Sequence, residues 1–173
     1  MQRREVATAI AGSEVLEFLR LVWALDHGLQ RISKRMRSRL GVTGPQRFVI
    51  RIVGWIPNVS GGELSRLLHL DPSTLTGILM RLEERGFIRR SKDPADGRRV
   101  LLHLTAKGKR MDASTKGTVE EAMRQALAGA PAAKIATARE VLQILVEAFQ
   151  PPPVAAPGTR PRKGRGPSRT PPS

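Results

Sequence analysis

The chain has 173 residues, a formal net charge of +15 and no cysteine. The lack of cysteine excludes disulfides, thiolate metal sites and thiol redox sensing. No apolar run approaches the roughly 20 residues that cross a bilayer, and residues 1–15 lack the apolar segment of a secretory signal, so we expect a soluble cytoplasmic protein. The charge alone fits DNA, RNA, a membrane surface or an acidic protein as partner. Because aromatic residues make up only 3% of the chain, it is poorly equipped to stack the bases of single strands.

The first part of the chain predicts three helices with defined starts. Apolar residues recur at steps of three and four over residues 13–39, which indicates one long amphipathic helix that Gly41 ends. Residues 43–46 (TGPQ) and 60–63 (SGGE) both have the form of a capping box. The first box opens a helix that stops near Gly54, and the second opens a short helix.

A further helix and a hairpin are predicted next. Asp71 is expected to cap a helix over residues 71–85, and Gly86 is expected to supply its left-handed end. Two arms, residues 87–92 and 98–104, flank the turn-forming pairs Asp-Pro and Asp-Gly.

The second arm and the helices after it complete the predicted body. In that arm Val100, Leu102 and Leu104 alternate with Arg99, Leu101 and His103, a pattern that indicates a β-strand. Thr105 is expected to cap one long helix that runs to about residue 128, and a last helix covers residues 132–149.

Residues 151–173 differ in composition from the rest of the chain. They hold eight of the 13 prolines and five basic residues but no acidic one, so a disordered tail is predicted. Without these five charges the rest of the chain keeps +10 of the +15. The tail is either a solvated end or an additional nonspecific DNA clamp.

Two short helices followed by a basic hairpin predict a winged helix-turn-helix, a mainly α fold with a small β-hairpin wing. An α-helix fits the major groove of B-DNA, and a basic ribbon beside it can reach phosphates or a minor groove. The candidate DNA-binding residues on the second helix of the motif are Ser73, Thr74, Thr76, Gly77 and Arg81. Those on the hairpin are Arg89, Arg90, Arg98 and Arg99, and Asp96 is placed to orient a guanidinium. The alternative is that both sets are ordinary solvated faces.

Three stretches of the sequence resemble the MarR family of regulators. Residues 75–90 (LTGILMRLEERGFIRR) look like its recognition helix and first wing strand, residues 93–99 (DPADGRR) like its wing signature, and residues 104–108 (LTAKG) like the entry to its next helix. The resemblance implies that Asp96 holds Arg98, which enters the minor groove. It also implies an intertwined homodimer, in which residues 1–42 and 105–150 supply dimerisation helices on either side of a DNA-binding domain at residues 43–104.

The predicted function is therefore sequence-specific binding of double-stranded DNA by a transcriptional regulator. By the resemblance it is a ligand-responsive repressor that acts on a pseudo-palindromic operator. A nonspecific architectural DNA-binding protein with the same fold and the basic tail is the alternative, and competition with random DNA separates the two. An enzyme is not expected, because no nucleophile with a base, phosphate-binding glycine loop or carboxylate pair is evident.

The last expectation concerns a small-molecule site. Trp23 and His27 lie one helical turn apart and, by the resemblance, could line a pocket for a small aromatic or phenolic effector, although packing in the core or an interface is the simpler explanation. The three histidines fall on separate predicted elements, so neither a metal site nor a cofactor is expected.

Overall fold

The computed structural model describes residues 13–149 as two units, residues 13–131 and 132–149; the predicted tail over residues 151–173 lies outside them. The first unit contains, in chain order, α1 (Glu14–Leu40), α2 (Gly44–Trp55), α3 (Gly61–Leu68), α4 (Pro72–Glu84), β1 (Ile88–Lys92), β2 (Val100–Leu104), α5 (Ala106–Ala113) and α6 (Val119–Leu127). The second unit is helix α7 (Ala132–Ala148). The two strands form one antiparallel hairpin, so the predicted mainly helical fold with a β-hairpin wing is confirmed. Over residues 13–149, no helix is both long and apolar enough to span a membrane.

Hydroxyl caps set the starts of the first three helices. The side chains of Ser13, Thr43 and Ser60 each accept a hydrogen bond from the amide three residues later. At Thr43 and Ser60 the side chains of Gln46 and Glu63 return to the cap amide, so both predicted capping boxes are present.

Left-handed residues mark several helix ends, and one predicted cap is absent. Gly41 and Gly86 take φ angles of +75° and +68°, and His69 takes +50° in the turn between α3 and α4. Asp71 occupies the N-cap position of α4 with Pro72 after it, as predicted, but its side chain makes no hydrogen bond to the first turn of the helix, so the capping bond itself is absent.

The hydrophobic core lies where α2, α3, α4 and the hairpin meet. Four apolar residues on one face of α4 are buried: Leu75, Ile78, Leu79 and Leu82. They form one cluster with Val49, Ile50, Val53, Leu64, Phe87, Ile88 and Leu102. Burial of each such side chain stabilises the folded state by about 1.5–3 kcal/mol. The cluster therefore fixes which face of α4 remains in solvent.

The hairpin is tied to the helices by a third, short pairing. Ser60 forms an isolated bridge with Leu101, and the amide of Leu102 donates to the carbonyl of Val59 at 2.9 Å. Leu101 and Leu102 are therefore both buried, whereas Val100 is 41% exposed. The alternation of the second arm therefore does not carry through to burial, because two consecutive residues are buried where the segment before α3 pairs with the free edge of β2.

The single long helix predicted after Thr105 is broken in two. Thr105 caps α5 as expected, but that helix ends at Ala113. Gly117 then takes a φ of +77°, and Thr118 caps α6 by accepting from the amide of Glu121 at 3.2 Å. The prediction of one continuous helix was wrong, because this polar segment ends one helix and caps the next.

Arg47 of α2 lies against the break between α5 and α6 and is only 2% exposed. Its Nη atoms donate to the carbonyls of Met111, Asp112 (3.1 Å) and Ser114 (2.8 Å), and its Nε lies 2.9 Å from Glu120 Oε1. The last carbonyls of a helix have no partner inside it. One buried guanidinium therefore satisfies the end of α5 and joins it to α6.

Candidate nucleic-acid interface

The face of α4 opposite the core is open and polar. Because the inward face is fixed by four buried side chains, the predicted contact residues all lie on the other side: Ser73, Thr74, Thr76, Gly77 and Arg81. A Cβ built on Gly77 would meet no atom within 4 Å, so this position allows close approach. Thr76 Oγ1 donates to the carbonyl of Pro72 at 2.7 Å and keeps its oxygen as an acceptor. This face has the dimensions and hydroxyl groups that suit a major groove.

The predicted wing arginines divide into two kinds. Arg90 Nε lies 2.9 Å from Glu83 Oε2, and Arg99 Nη2 lies 2.7 Å from Glu63 Oε1. The guanidinium groups of Arg89 and Arg98 are exposed and form no ion pair or hydrogen bond within residues 13–149. An anion can therefore neutralise Arg89 and Arg98 without breaking an existing pair.

Asp96 orders the wing turn through the backbone. Its Oδ1 accepts from the amide of Arg98 at 3.0 Å, and its carbonyl accepts from the amide of Arg99 at 2.8 Å. The resemblance implied that Asp96 holds Arg98, and in this structure the contact is made to the Arg98 amide rather than to its guanidinium. Asp96 thus fixes the direction in which Arg98 leaves the turn.

Glu63 gives the wing a permanent negative partner. Hydrogen bonds from the amide and hydroxyl of Ser60, with a further one from Arg99, lower the pKa of Glu63 from 4.5 to about 2. Its carboxylate is charged throughout the neutral pH range, so the positive charge of Arg99 is matched within the protein.

A cleft of about 630 Å³ adjoins the polar face of α4. Its lining contains three arginines and one acidic residue, together with polar and apolar side chains: Arg37, Arg81, Arg85, Glu84, Thr43, Gln46, Thr74, Pro45, Leu70 and Ile78. Arg85 donates to the carbonyl of Gly41. The guanidinium groups of Arg37 and Arg81 bind no other group in the described part of the chain. Two predicted DNA-contact residues, Thr74 and Arg81, therefore also face a basic cleft.

Trp23 and His27 lie elsewhere, on α1. His27 Nδ1 is 2.8 Å from the carbonyl of Trp23, and Trp23 is 62% exposed. Neither residue lines the basic cleft or a second cleft of about 460 Å³ that includes Leu67 and Arg99. A pocket at Trp23 and His27 stays a prediction. Within residues 13–149, no group of histidine, aspartate and glutamate side chains is arranged to hold a metal ion.

Three residues of this surface were not predicted from the sequence: Arg37, Arg85 and Glu63. Arg37 is near the end of α1 and Arg85 follows α4, so only tertiary packing brings them to one cleft. Glu63 had a local signal, but that signal identified it only as part of a capping box.

Comparison with known proteins decides the family. The sequence profile of the MarR family matches residues 42–100. The multiple antibiotic resistance protein MarR of Salmonella typhimurium is 34% identical over 99 residues, which cover 56% of this chain and 67% of that protein. The chain belongs to the MarR family. The HTH-type transcriptional regulator TtmR of Methylorubrum extorquens is 35% identical over 88 residues, 51% of this chain and 45% of TtmR. The chain thus spans about half to two thirds of the length of these curated relatives.

Solved structures of MarR-family regulators share the fold over most of their length. A mutant of Escherichia coli MarR complexed with operator DNA has a TM-score of 0.63 at 25% identity, covering 76% of this chain and 95% of that one. The PcaV regulator of Streptomyces coelicolor, in complex with its natural ligand, has a TM-score of 0.64 at 26% identity, covering 74% and 90%. The wing and helix motif of this chain are therefore those of a winged-helix MarR protein.

Proposed function

We propose that this MarR-family chain regulates transcription by binding double-stranded DNA in a sequence-specific way. The observation that carries the proposal is the exposed polar face of α4 beside a wing in which Arg89 and Arg98 lack a described partner. Helix α4 enters the major groove, where Ser73, Thr74, Thr76 and Arg81 meet bases and phosphates across the gap left by Gly77. Arg98 reaches the adjacent minor groove, whose negative potential attracts a guanidinium. Two of the proteins named above, TtmR and PcaV, are transcriptional regulators.

The chain acts as a homodimer in this proposal. Helix α1 buries only Met36, and its first half exposes a run of apolar side chains that includes Val15, Leu16, Leu21 and Trp23. Helix α7 buries none of its residues and exposes Leu142, Ile144 and others. Such faces are typical of subunit interfaces. The helices of residues 1–42 and 105–150 then pair two DNA-binding domains, residues 43–104 of each subunit.

Two paired recognition helices imply a pseudo-palindromic operator. A two-fold dimer places its recognition helices about one helical turn of DNA apart, roughly 34 Å, so the half-sites are inverted copies of each other. Covering such a site at a promoter represses transcription.

The basic cleft is the proposed effector site. PcaV was solved with its natural ligand, and here three arginines outnumber the one carboxylate, Glu84, in a cleft that also has apolar side chains. A small aromatic or phenolic acid suits that lining, because its carboxylate can pair with Arg37 or Arg81 while its ring covers Ile78 and Leu70. The ligand would relieve repression by favouring a conformation that fits DNA less well.

The experiment that tests the DNA-binding proposal starts with the wild-type chain and a pool of random duplexes. Repeated selection is expected to enrich one pseudo-palindromic sequence, and the protein should stay bound to it in the presence of excess random DNA. Persistent binding without any enriched sequence would instead favour the architectural alternative.

Arg98→Ala is the decisive variant on the selected site. We expect affinity to fall about fivefold or more, and the slope of log K against log salt to become smaller by about 0.9, because one ionic contact is lost. Arg51→Ala is the matched control: it removes the same charge from α2, where Arg51 pairs with Asp112, and should leave both quantities unchanged. Unchanged binding by Arg98→Ala would contradict the proposed role of the wing.

A further inference from the structure

Arg99 forms an ion pair with a carboxylate of the protein, whereas Arg98 and Arg89 form none within residues 13–149. Its Nη2 donates to both oxygens of Glu63 at 2.7 Å, and its Nε lies 3.8 Å from Asp93 Oδ2. Glu63 belongs to α3 and Arg99 directly precedes β2, so this contact crosses between two elements 36 positions apart in sequence.

Glu63 is itself fixed and cannot follow Arg99 to another partner. Its Oε2 accepts from the Ser60 amide at 2.8 Å and from the Ser60 hydroxyl at 2.7 Å, as the return half of the capping box. A phosphate that bound Arg99 would therefore bring its charge close to this immobile carboxylate. Like charges at such a distance repel, which disfavours a direct contact between Arg99 and DNA.

The Glu63–Arg99 pair lies beside the bridge that joins the wing to the helix motif. The bridge connects Ser60 to Leu101, two residues from Arg99. On its other side the carbonyl of Arg99 accepts from the amide of Asp93 at 2.9 Å, where the two strands approach the turn. The pair thus holds the part of the wing next to its turn against the start of α3, beyond the Ser60–Leu101 bridge, which is the last backbone contact between the wing and that segment.

We propose that Arg99 is a positioning residue: through Glu63 it sets the direction of the wing, so that Arg98 meets the DNA backbone or minor groove while α4 occupies the major groove. This inference rests on the proposed DNA-binding function and revises the prediction that Arg99 itself contacts DNA. It also assigns Glu63, an acidic residue beside a polyanion, a favourable role in DNA binding.

The test compares Arg99→Ala, Glu63→Gln and the double variant on the selected operator, with Arg98→Ala alongside. Glutamine keeps the capping box, since glutamine returns to the cap amide as glutamate does, but it loses the ion pair. Each single variant is expected to weaken binding about two- to fivefold, the range set by exposed ion pairs. The double variant should be no weaker than Arg99→Ala, because both changes break one contact.

The salt dependence separates positioning from contact. Arg99→Ala should leave the slope of log K against log salt unchanged, whereas Arg98→Ala reduces it by about 0.9. A reduced slope for Arg99→Ala would overturn the inference, as would tighter binding by Glu63→Gln, the result expected if Glu63 only repels DNA. Both outcomes leave the proposed function intact, whereas failure of the wild-type chain to bind any duplex overturns the proposed function itself.

Discussion

Arg47 shows how a charged residue can become part of the core. Its buried guanidinium is surrounded by three backbone carbonyls and the carboxylate of Glu120, so its donors lose water but gain partners. The exchange depends on all of these groups being present at once. Glu120 Oε2 is already buried without a hydrogen-bond partner in the described part of the chain, which leaves the network little tolerance for a further loss.

Arg47→Met tests that interpretation. We expect the free energy of unfolding to fall by about 3 kcal/mol or more, because the carbonyls at the end of α5 and the Glu120 carboxylate lose their buried partner. The measurement is chemical denaturation followed by circular dichroism. Arg51→Met is the control: Arg51 also binds Asp112, at 2.7 Å, but is 46% exposed, so its loss should cost about 0–1 kcal/mol. Equal costs for the two variants would show that Arg47 is an ordinary surface arginine.

Among the helices and strands, most helix starts could be predicted from residues that are neighbours in sequence. The features that could not be predicted depend on packing between residues that are distant in sequence. The boxes that begin at Thr43 and Ser60 were predicted because all their partners lie within four residues. The start of α6 had the same local form, a threonine followed three residues later by Glu121, but it was missed because the apolar pattern suggested one long helix. The pairing of the segment before α3 with β2 and the Glu63–Arg99 pair could not be predicted, because their partners are distant in sequence.

The entry to α5 depends on a close approach between two elements. A Cβ at Gly108 would stand 2.0 Å from the carbonyl oxygen of Phe87, a backbone atom that cannot move aside cheaply. Gly108→Ala should therefore lower the free energy of unfolding by about 2 kcal/mol or more, despite the better helix propensity of alanine. Gly62→Ala in α3, where a Cβ meets nothing within 4 Å, should be neutral or stabilising by up to about 1 kcal/mol. Thermal unfolding of both variants checks this, and a harmless Gly108→Ala would contradict the packing argument.

At the scale of the whole molecule, the basic cleft offers a physical route from ligand to DNA. Arg37 belongs to α1, a proposed dimerisation helix, whereas Thr74 and Arg81 belong to the proposed recognition helix. An anion bound between them would hold these two helices in one arrangement. It would also occupy Arg81, which the DNA-bound state needs, so ligand and DNA should oppose each other.

The coupling between these two sites can be measured with 4-hydroxybenzoate as a probe of the aromatic-acid class. Added to the wild-type chain and its selected operator, this acid should weaken DNA binding about fivefold or more, the lower end of ordinary coupling energies. Arg37→Ala should lose most of that response yet bind the operator as wild type does without the acid, because Arg37 is not placed among the DNA contacts. Arg66→Ala, an exposed arginine of the second cleft, should respond as wild type does. A full response from Arg37→Ala would place the effector elsewhere, for instance at Trp23 and His27. If the wild-type chain itself did not respond, 4-hydroxybenzoate would be excluded as a ligand that relieves repression through this cleft.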